Sequence, residues 1–250
     1  MTGRAKPSPL QAFEDNMADA HHLVRLAEGL TNERSRRMRR ELRDRVGSAL
    51  RVVERDRGEL DCLESDDVFM VFLPGSWLHR EDFLDHRPLL RQALVAGCAA
   101  TETYLADKVM TRVGDLLTSD DAATDRMKKL PMSVGEWLYI ERRYERRRRG
   151  LRERVVKPYV RENASTAPNK VGEMLSLIGV VIWTKQVDAQ RASSRGDTER
   201  LLERVTQRRN KIAHQGDRQG FGRAALSIEE TKVDLADLKS VVLAIEAVVT

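Results

Sequence analysis

Hydrophobic residues recur along most of this chain at intervals of three and four positions, the spacing that aligns one face of a helix. The predicted helices cover residues 10–30, 32–53, 86–117, 133–149, 171–184, 198–213 and 229–248. Asn32 begins one of these segments and Asp197 precedes another, and both are expected to act as N-caps. Residues 60–72 differ: this apolar run ends at Pro74-Gly75 and is compatible with a short helix or an extended connector. The pattern predicts an all-α fold.

The helix predicted over residues 86–117 is the longest and the most apolar, so we expect it at the centre of the core. Its small residues at 96–100 would let another helix approach closely. Glu102 lies in its middle, and this carboxylate must face solvent or pair with a cation, because burying it alone is costly. Cys62 and Cys98 have no paired spacing and are expected to be buried free thiols.

The amino-acid composition limits the expected fold class and the expected location of the protein. Charged residues make up 33% of the 250-residue chain and aromatic residues 5%, which favours helices over a β-rich fold. The sequence has no apolar run of about 18 residues, so we expect no transmembrane helix and no membrane partner. Residues 1–9 lack the apolar core of a signal peptide, and we therefore expect a cytoplasmic protein.

Arginine is concentrated in two stretches. Residues 34–57 contain ten arginines, and residues 141–154 contain eight arginines against three acids. Either stretch can be a solvated helix surface with internal ion pairs, or a surface that follows phosphates. The second includes Arg146, Arg147 and Arg148, with tyrosines nearby that could stack on bases. A net charge of +5 permits binding to a polyanion without requiring it.

The most informative segment is residues 208–217, Arg-Arg-Asn-Lys-Ile-Ala-His-Gln-Gly-Asp. Five of its residues carry or exchange charge near neutral pH: Arg208, Arg209, Lys211, His214 and Asp217. On a helix Arg209 and His214 point about 140° apart. Asn210 and His214, four positions apart, share a face. Gly216 is a helix-stop signal that places the histidine in the last turn or just beyond it. Such a cluster suits an exposed polar site.

The segment Arg209-Asn210-Lys211-Ile212-Ala213-His214 resembles the Arg-x4–6-His motif of the HEPN superfamily (higher eukaryotes and prokaryotes nucleotide-binding), most closely its RiboL-PSP-HEPN subgroup. Residues 91–107 resemble an earlier core helix of that family. The likeness covers roughly residues 88–249 and does not extend to the first 80 or so residues. The resemblance implies an up-and-down helical bundle over residues 81–250, with residues 1–80 as a basic helical extension. It also implies a homodimer in which two motifs face each other.

Many members of this family are metal-independent endoribonucleases of toxin–antitoxin, antiviral defence or RNA-processing systems. The resemblance implies that His214 moves a proton, that Arg209 stabilises phosphorane charge, and that Asn210 orients one of them. It also implies that Glu102 holds Arg209 in place. Supporting roles are expected for Arg208 and Asp217, and RNA contacts for Lys211, Arg146, Arg147 and Arg148. RNA is the expected partner, and an antitoxin or other defence-system protein is a further candidate partner.

Two alternatives stay open. Some HEPN proteins have lost catalysis and act as RNA-binding or dimerisation modules, and an Arg/His pair on a charged helix can also occur in an unrelated helical regulator. No metal or cofactor is expected, because no cluster of Asp, His or Cys has metal-ligand spacing. The adjacent pair His21-His22 diverges by about 100° on a helix and fits a surface position better.

Overall fold

The computed structural model describes residues 7–31, 40–64, 69–117 and 124–249, and within them the expected all-α fold is confirmed. The described helices are α1 (Pro9–Thr31), α2 (Arg40–Ala49), α3 (Arg87–Leu116), α4 (Asp125–Lys128), α5 (Val134–Arg143), α6 (Arg147–Leu151), α7 (Lys157–Asn163), α8 (Pro168–Ser176), α9 (Trp183–Gln190), α10 (Asp197–Gln215) and α11 (Ile228–Val249). A π-helical turn, Arg152–Val156, joins α6 to α7. Short 3-10 helices span Glu54–Glu59 and Arg80–Phe83. Within this part of the chain, no helix is long and apolar enough to cross a membrane.

The chain folds into two compact units made of non-contiguous segments. The first unit contains residues 1–20, 94–224 and 233–250, and the second contains residues 21–93 and 225–232. Helices α1 and α3 each contribute residues to both units.

The first unit is a helical bundle in which α3 and α11 pack closely. A Cβ added to Gly97 would come within 2.4 Å of Leu235 Cδ2, so the small residues at 96–100 do admit another helix. Near the other end of the contact, the Tyr104 hydroxyl donates to Glu246 at 2.6 Å and the Lys108 ammonium donates to the same carboxylate at 2.7 Å. Burial opposes ionisation of Glu246, but these two donors outweigh it and hold the pKa of its carboxyl below the usual range.

Two predicted helices of the first unit are in fact pairs of shorter ones. The helix expected over 171–184 is divided between α8 and α9, because Gly179 takes a left-handed φ of 88° and turns the chain. The turn brings the Trp183 ring against Gly172, where a Cβ would lie 2.8 Å from the indole nitrogen. The helix expected over 133–149 ends at Arg143, and α6 then folds back so that Gly150 packs on Ile140. In both cases a glycine contact distant in sequence outweighs local helix propensity.

The second unit contains an antiparallel hairpin. Strand β1 (Asp61–Glu64) pairs with β2 (Phe69–Phe72), so this region is extended, one of the two structures left open. Phe72 and Leu30 are buried together in a small core. The helix expected over 32–53 is described only from Arg40 to Ala49, and its expected cap Asn32 lies outside the described residues. Cys62 and Cys98 are both buried free thiols.

Candidate functional site

Helix α10 carries the Arg209–His214 motif, and its start is fixed from a neighbouring helix. The Asp188 carboxylate of α9 accepts hydrogen bonds from the backbone N–H of Gly196 at 2.6 Å and of Thr198 at 2.9 Å. The expectation that Asp197 caps this helix is wrong: Gly196 takes the N-cap position with a left-handed φ of 76°, and Asp188 supplies the acceptor. The first turn of α10 is therefore anchored inside the first unit.

The guanidinium of Arg209 is held by side chains on two sides. Its Nη2 donates to Glu102 of α3, and its Nη1 donates to the Asn210 side-chain oxygen at 2.9 Å. The side chains of Arg209 and Glu102 are each 21% exposed. A guanidinium has five N–H donors, so these two bonds fix its position and leave three N–H groups for another acceptor. The contact implied between Glu102 and Arg209 is thus present.

Glu102 is itself positioned by the segment that leads into α8. The backbone N–H of Thr166 donates to Glu102 Oε1 at 3.3 Å, and the Thr206 hydroxyl of α10 donates to the Thr166 hydroxyl at 2.8 Å. Both threonines are buried. Thr166 lies in a polar break of the sequence, where no periodic pattern indicates it, so sequence reasoning missed it. The result is a polar network that links α3 and α10 behind Arg209.

Cys98 lies one helical turn before Glu102 on α3 and is fully buried. Burial raises the pKa of its thiol to about 12; the Glu102 charge acts in the same direction, whereas the nearby Arg209 charge opposes it. The thiol is therefore neutral at physiological pH and has the character of a core residue, not a nucleophile.

His214 lies in the last turn of α10, as expected, and its side chain is exposed. Asn210, one turn earlier, is exposed as well, whereas Arg209 is half-buried and faces α3. The structure therefore brings Arg209, Asn210 and Glu102 together and places His214 on the solvent face of the same helix, about 140° away around the axis.

Arg208 and Asp217 form an ion pair where α10 ends. Arg208 Nη2 donates to Asp217 Oδ2 at 2.8 Å, and the Asp217 side chain is only 1% exposed. Gly216 and Asp217 both adopt left-handed φ values, and both donate their backbone N–H to the carbonyl of Lys211. The chain then enters a two-stranded antiparallel hairpin, β3 (Arg218–Gln219) and β4 (Gly222–Arg223).

The solvent face of α10 beside the motif forms a groove of about 510 Å³, lined by Arg200, Glu203, Arg204, Gln207, Arg208 and Lys211. Arg204 is paired with Asp234 at 2.7 Å and Asp237 at 3.0 Å. Lys211 is exposed within this groove, on the same surface as Asn210 and His214.

Arg146, Arg147 and Arg148 lie in a different groove. This groove has a volume of about 1340 Å³, and its lining includes these arginines together with Arg143, Arg149 and Arg152 but none of the motif residues. Arg148 donates to the Leu117 carbonyl at 3.2 Å, and Arg147 pairs with Glu141 at 3.0 Å. The structure therefore separates the two sets of residues expected to contact RNA into distinct surfaces.

No metal-ligand cluster occurs in the described part of the chain, where no three His, Cys, Asp or Glu side chains gather. Comparison with protein-family models, curated proteins and solved structures found no match to this chain.

Proposed function

We propose that this protein is an endoribonuclease that cleaves RNA by attack of a 2′-hydroxyl on the adjacent phosphate, without a metal ion. The proposal rests on the resemblance of residues 209–214 to the HEPN motif. It is supported by one observation above all: Glu102 and Asn210 hold the Arg209 guanidinium in a fixed position while three of its N–H groups stay available.

The reaction needs a group that transfers protons and a cation that stabilises negative charge. The 2′-oxygen loses its proton and bonds to phosphorus, and the P–O5′ bond breaks as the 5′-oxygen gains a proton; the products are a 2′,3′-cyclic phosphate and a 5′-hydroxyl. His214 is exposed, and its imidazole can take the first proton or supply the second. Arg209 stabilises the negative charge that develops on the phosphorane oxygens.

A second copy of the chain completes this site in our proposal. Within one chain Arg209 faces α3 and His214 faces solvent, so the two side chains do not converge on one phosphate. A two-fold dimer places the same surface of both chains face to face. Two motifs meeting in this way supply a base, an acid and two arginines to one cleft.

The test is cleavage of total RNA in excess EDTA by wild type, Arg209→Ala and His214→Ala, with end-group mapping of the products. We expect cleavage by wild type alone and cyclic phosphate ends, with losses of about 100-fold or more in the variants. His22→Ala and Arg25→Ala, at an exposed histidine and an exposed arginine of α1, are the matched controls and should retain full activity. Circular dichroism verifies that each variant folds. Cleavage that survives both motif substitutions contradicts the proposal.

A second candidate is a non-catalytic RNA-binding or dimerisation module. The separation of Arg209 from His214 on α10 favours it, because a single chain then holds no assembled acid–base pair. Such a module shows no cleavage by any variant, while its RNA affinity falls steeply with salt and persists in His214→Ala.

A further inference from the structure

The hairpin that follows the motif presents a fully exposed aromatic ring. Phe221 occupies the second position of the two-residue loop between β3 and β4, and its whole side chain is accessible to solvent. Gly220 precedes it with a φ of 58°, which is the glycine position of a type II′ hairpin turn. A phenylalanine ring this exposed at the tip of a hairpin is available to a ligand, and covering its apolar surface is favourable.

Two arginines lie on the strands that flank this two-residue loop. Arg218 of β3 and Arg223 of β4 are cross-strand partners, and both are exposed. Like charges in directly opposed positions destabilise a hairpin, and within the described part of the chain neither guanidinium is paired with a carboxylate. An anion bound between them relieves that repulsion.

The hairpin is fixed to the end of α10 and is not a free loop. Asp217, buried and paired with Arg208, begins it, and the Ala224 N–H donates to the Asp217 carbonyl at 2.8 Å to close it. The Asp217 N–H in turn donates to the Lys211 carbonyl at 2.9 Å. The backbone of the hairpin therefore holds a defined place relative to the last turn of α10, which contains His214.

We propose that this hairpin is a single-strand RNA contact, in which Phe221 stacks on an unpaired base while Arg218 and Arg223 bind the flanking phosphates. An aromatic face next to cations is the combination that binds single-stranded nucleic acid, because every base offers a π-face and every linkage a charge. A paired base is already stacked on its neighbours and cannot accept the ring. The inference rests on the proposed function, and it makes unpaired RNA the substrate class.

The experiment uses a short 2′-O-methylated single strand, which lacks the nucleophilic hydroxyl and so reports binding apart from cleavage. Fluorescence anisotropy compares it with the same strand annealed to its complement. We expect Phe221→Ala to weaken single-strand binding by about 5- to 150-fold and Phe221→Trp to preserve it. The affinity for the duplex should be the same in both variants as in wild type. Phe69→Ala, at a half-exposed phenylalanine on β2, is the matched control and should have no effect.

The contribution of Arg218 and Arg223 is measured by the salt dependence of RNA binding. Arg218→Ala/Arg223→Ala should reduce the slope of log affinity against log salt by about 1.4, whereas Phe221→Ala should leave that slope unchanged. Equal losses for single strand and duplex, or an equal loss in Phe69→Ala, overturn the proposal. A change of oligomeric state in Phe221→Ala with unaltered RNA affinity also overturns it and assigns the ring to a contact with a second copy.

Cleavage of total RNA by the same variants separates this inference from the nuclease. Binding that depends on Phe221 without cleavage by wild type supports the hairpin contact and contradicts the ribonuclease. Cleavage by wild type that is indifferent to Phe221→Ala, together with unaltered binding, overturns the hairpin contact and leaves the ribonuclease standing.

Discussion

The Arg209 guanidinium and the Glu102 carboxylate form an ion pair that joins α10 to α3, across 107 positions of sequence. Each side chain is about one-fifth exposed, so the pair is reached by solvent and by ligands from one side. Glu102 therefore orients the Arg209 guanidinium and leaves it accessible to a phosphate.

Removing the charge of Glu102 should impair cleavage more than folding. Glu102→Gln keeps an oxygen for the Thr166 N–H but no longer fixes the guanidinium, and we expect kcat to fall by about 10- to 100-fold with KM little changed. Stability should change by only about 0–1 kcal/mol, because the pair is partly exposed. Single-turnover kinetics and urea unfolding measure the two effects. Equal losses in kcat and stability would show a purely structural role.

Replacing Arg209 by lysine should not restore activity. An ammonium cannot contact Glu102 and Asn210 at once while presenting further donors in a plane, so we expect Arg209→Lys to retain no more than about 1% of wild-type cleavage. Arg142→Lys, at an exposed arginine of α5, is the control and should be fully active. Near-normal cleavage by Arg209→Lys would mean that only a positive charge is needed at this place.

Mixing two inactive variants should restore part of the activity if the cleft is shared between copies. A dimer of Arg209→Ala with His214→Ala contains one intact arginine and one intact histidine on different chains. With random pairing, half of the dimers are mixed, and the cleft of a mixed dimer keeps one arginine and one histidine, so we expect cleavage above that of either variant alone and below half of the wild-type rate. The measurement is cleavage after joint refolding of the two variants. No recovery, despite mixed dimers detected by differential tagging, argues for a site within one chain.

The cap of α10 predicts a pH-dependent loss of stability. Burial disfavours the charged form of Asp188, but hydrogen bonds from Thr198, Gly196 and Ser193 outweigh it and lower the pKa of this carboxyl below its ordinary value of 3.8. A depressed pKa stabilises the fold above pH 3.8, and this contribution is lost as the pH falls through the folded-state pKa. Asp188→Asn should therefore cost about 1–3 kcal/mol at pH 7 and progressively less below pH 3.8.

Urea unfolding of wild type and Asp188→Asn across this pH range is the measurement. Asp197→Asn is the comparison, because that carboxylate is 41% exposed and does not cap the helix. It should cost less than about 1 kcal/mol. A larger effect at Asp197 than at Asp188 would reverse our assignment of the cap.

Substitutions of Arg208 and Asp217 should lower the stability of the fold by different amounts. Arg208→Ala removes the cation from a buried carboxylate and should cost about 2–3 kcal/mol. Asp217 has a φ of 60°, so Asp217→Gly loses the ion pair but relieves the backbone, whereas Asp217→Ala loses the pair and keeps the strain. We expect Asp217→Gly to be more stable than Asp217→Ala by about 1 kcal/mol in thermal unfolding. The opposite order would mean that backbone conformation is unimportant here.

Local features of the sequence were sufficient to locate most helices and the motif. The three-to-four spacing placed α1, α3 and α11 within two residues, and Gly216 indicated the end of α10. Periodicity and stop signals act over a few residues, so they can be recognised without knowledge of the fold. The 140° angle between Arg209 and His214 also follows from helix geometry alone.

Only the tertiary structure decided what each motif residue touches. The Thr166 contact to Glu102 and the cap supplied by Asp188 join residues that no local pattern connects. The break at Gly179 follows from its left-handed φ, and the break at Tyr144 lets Gly150 pack on Ile140. The exposure of Phe221 also depends on the tertiary structure. Gly220 accounts for its place at a hairpin tip, but the packing of the whole unit determines that the ring lies away from the core.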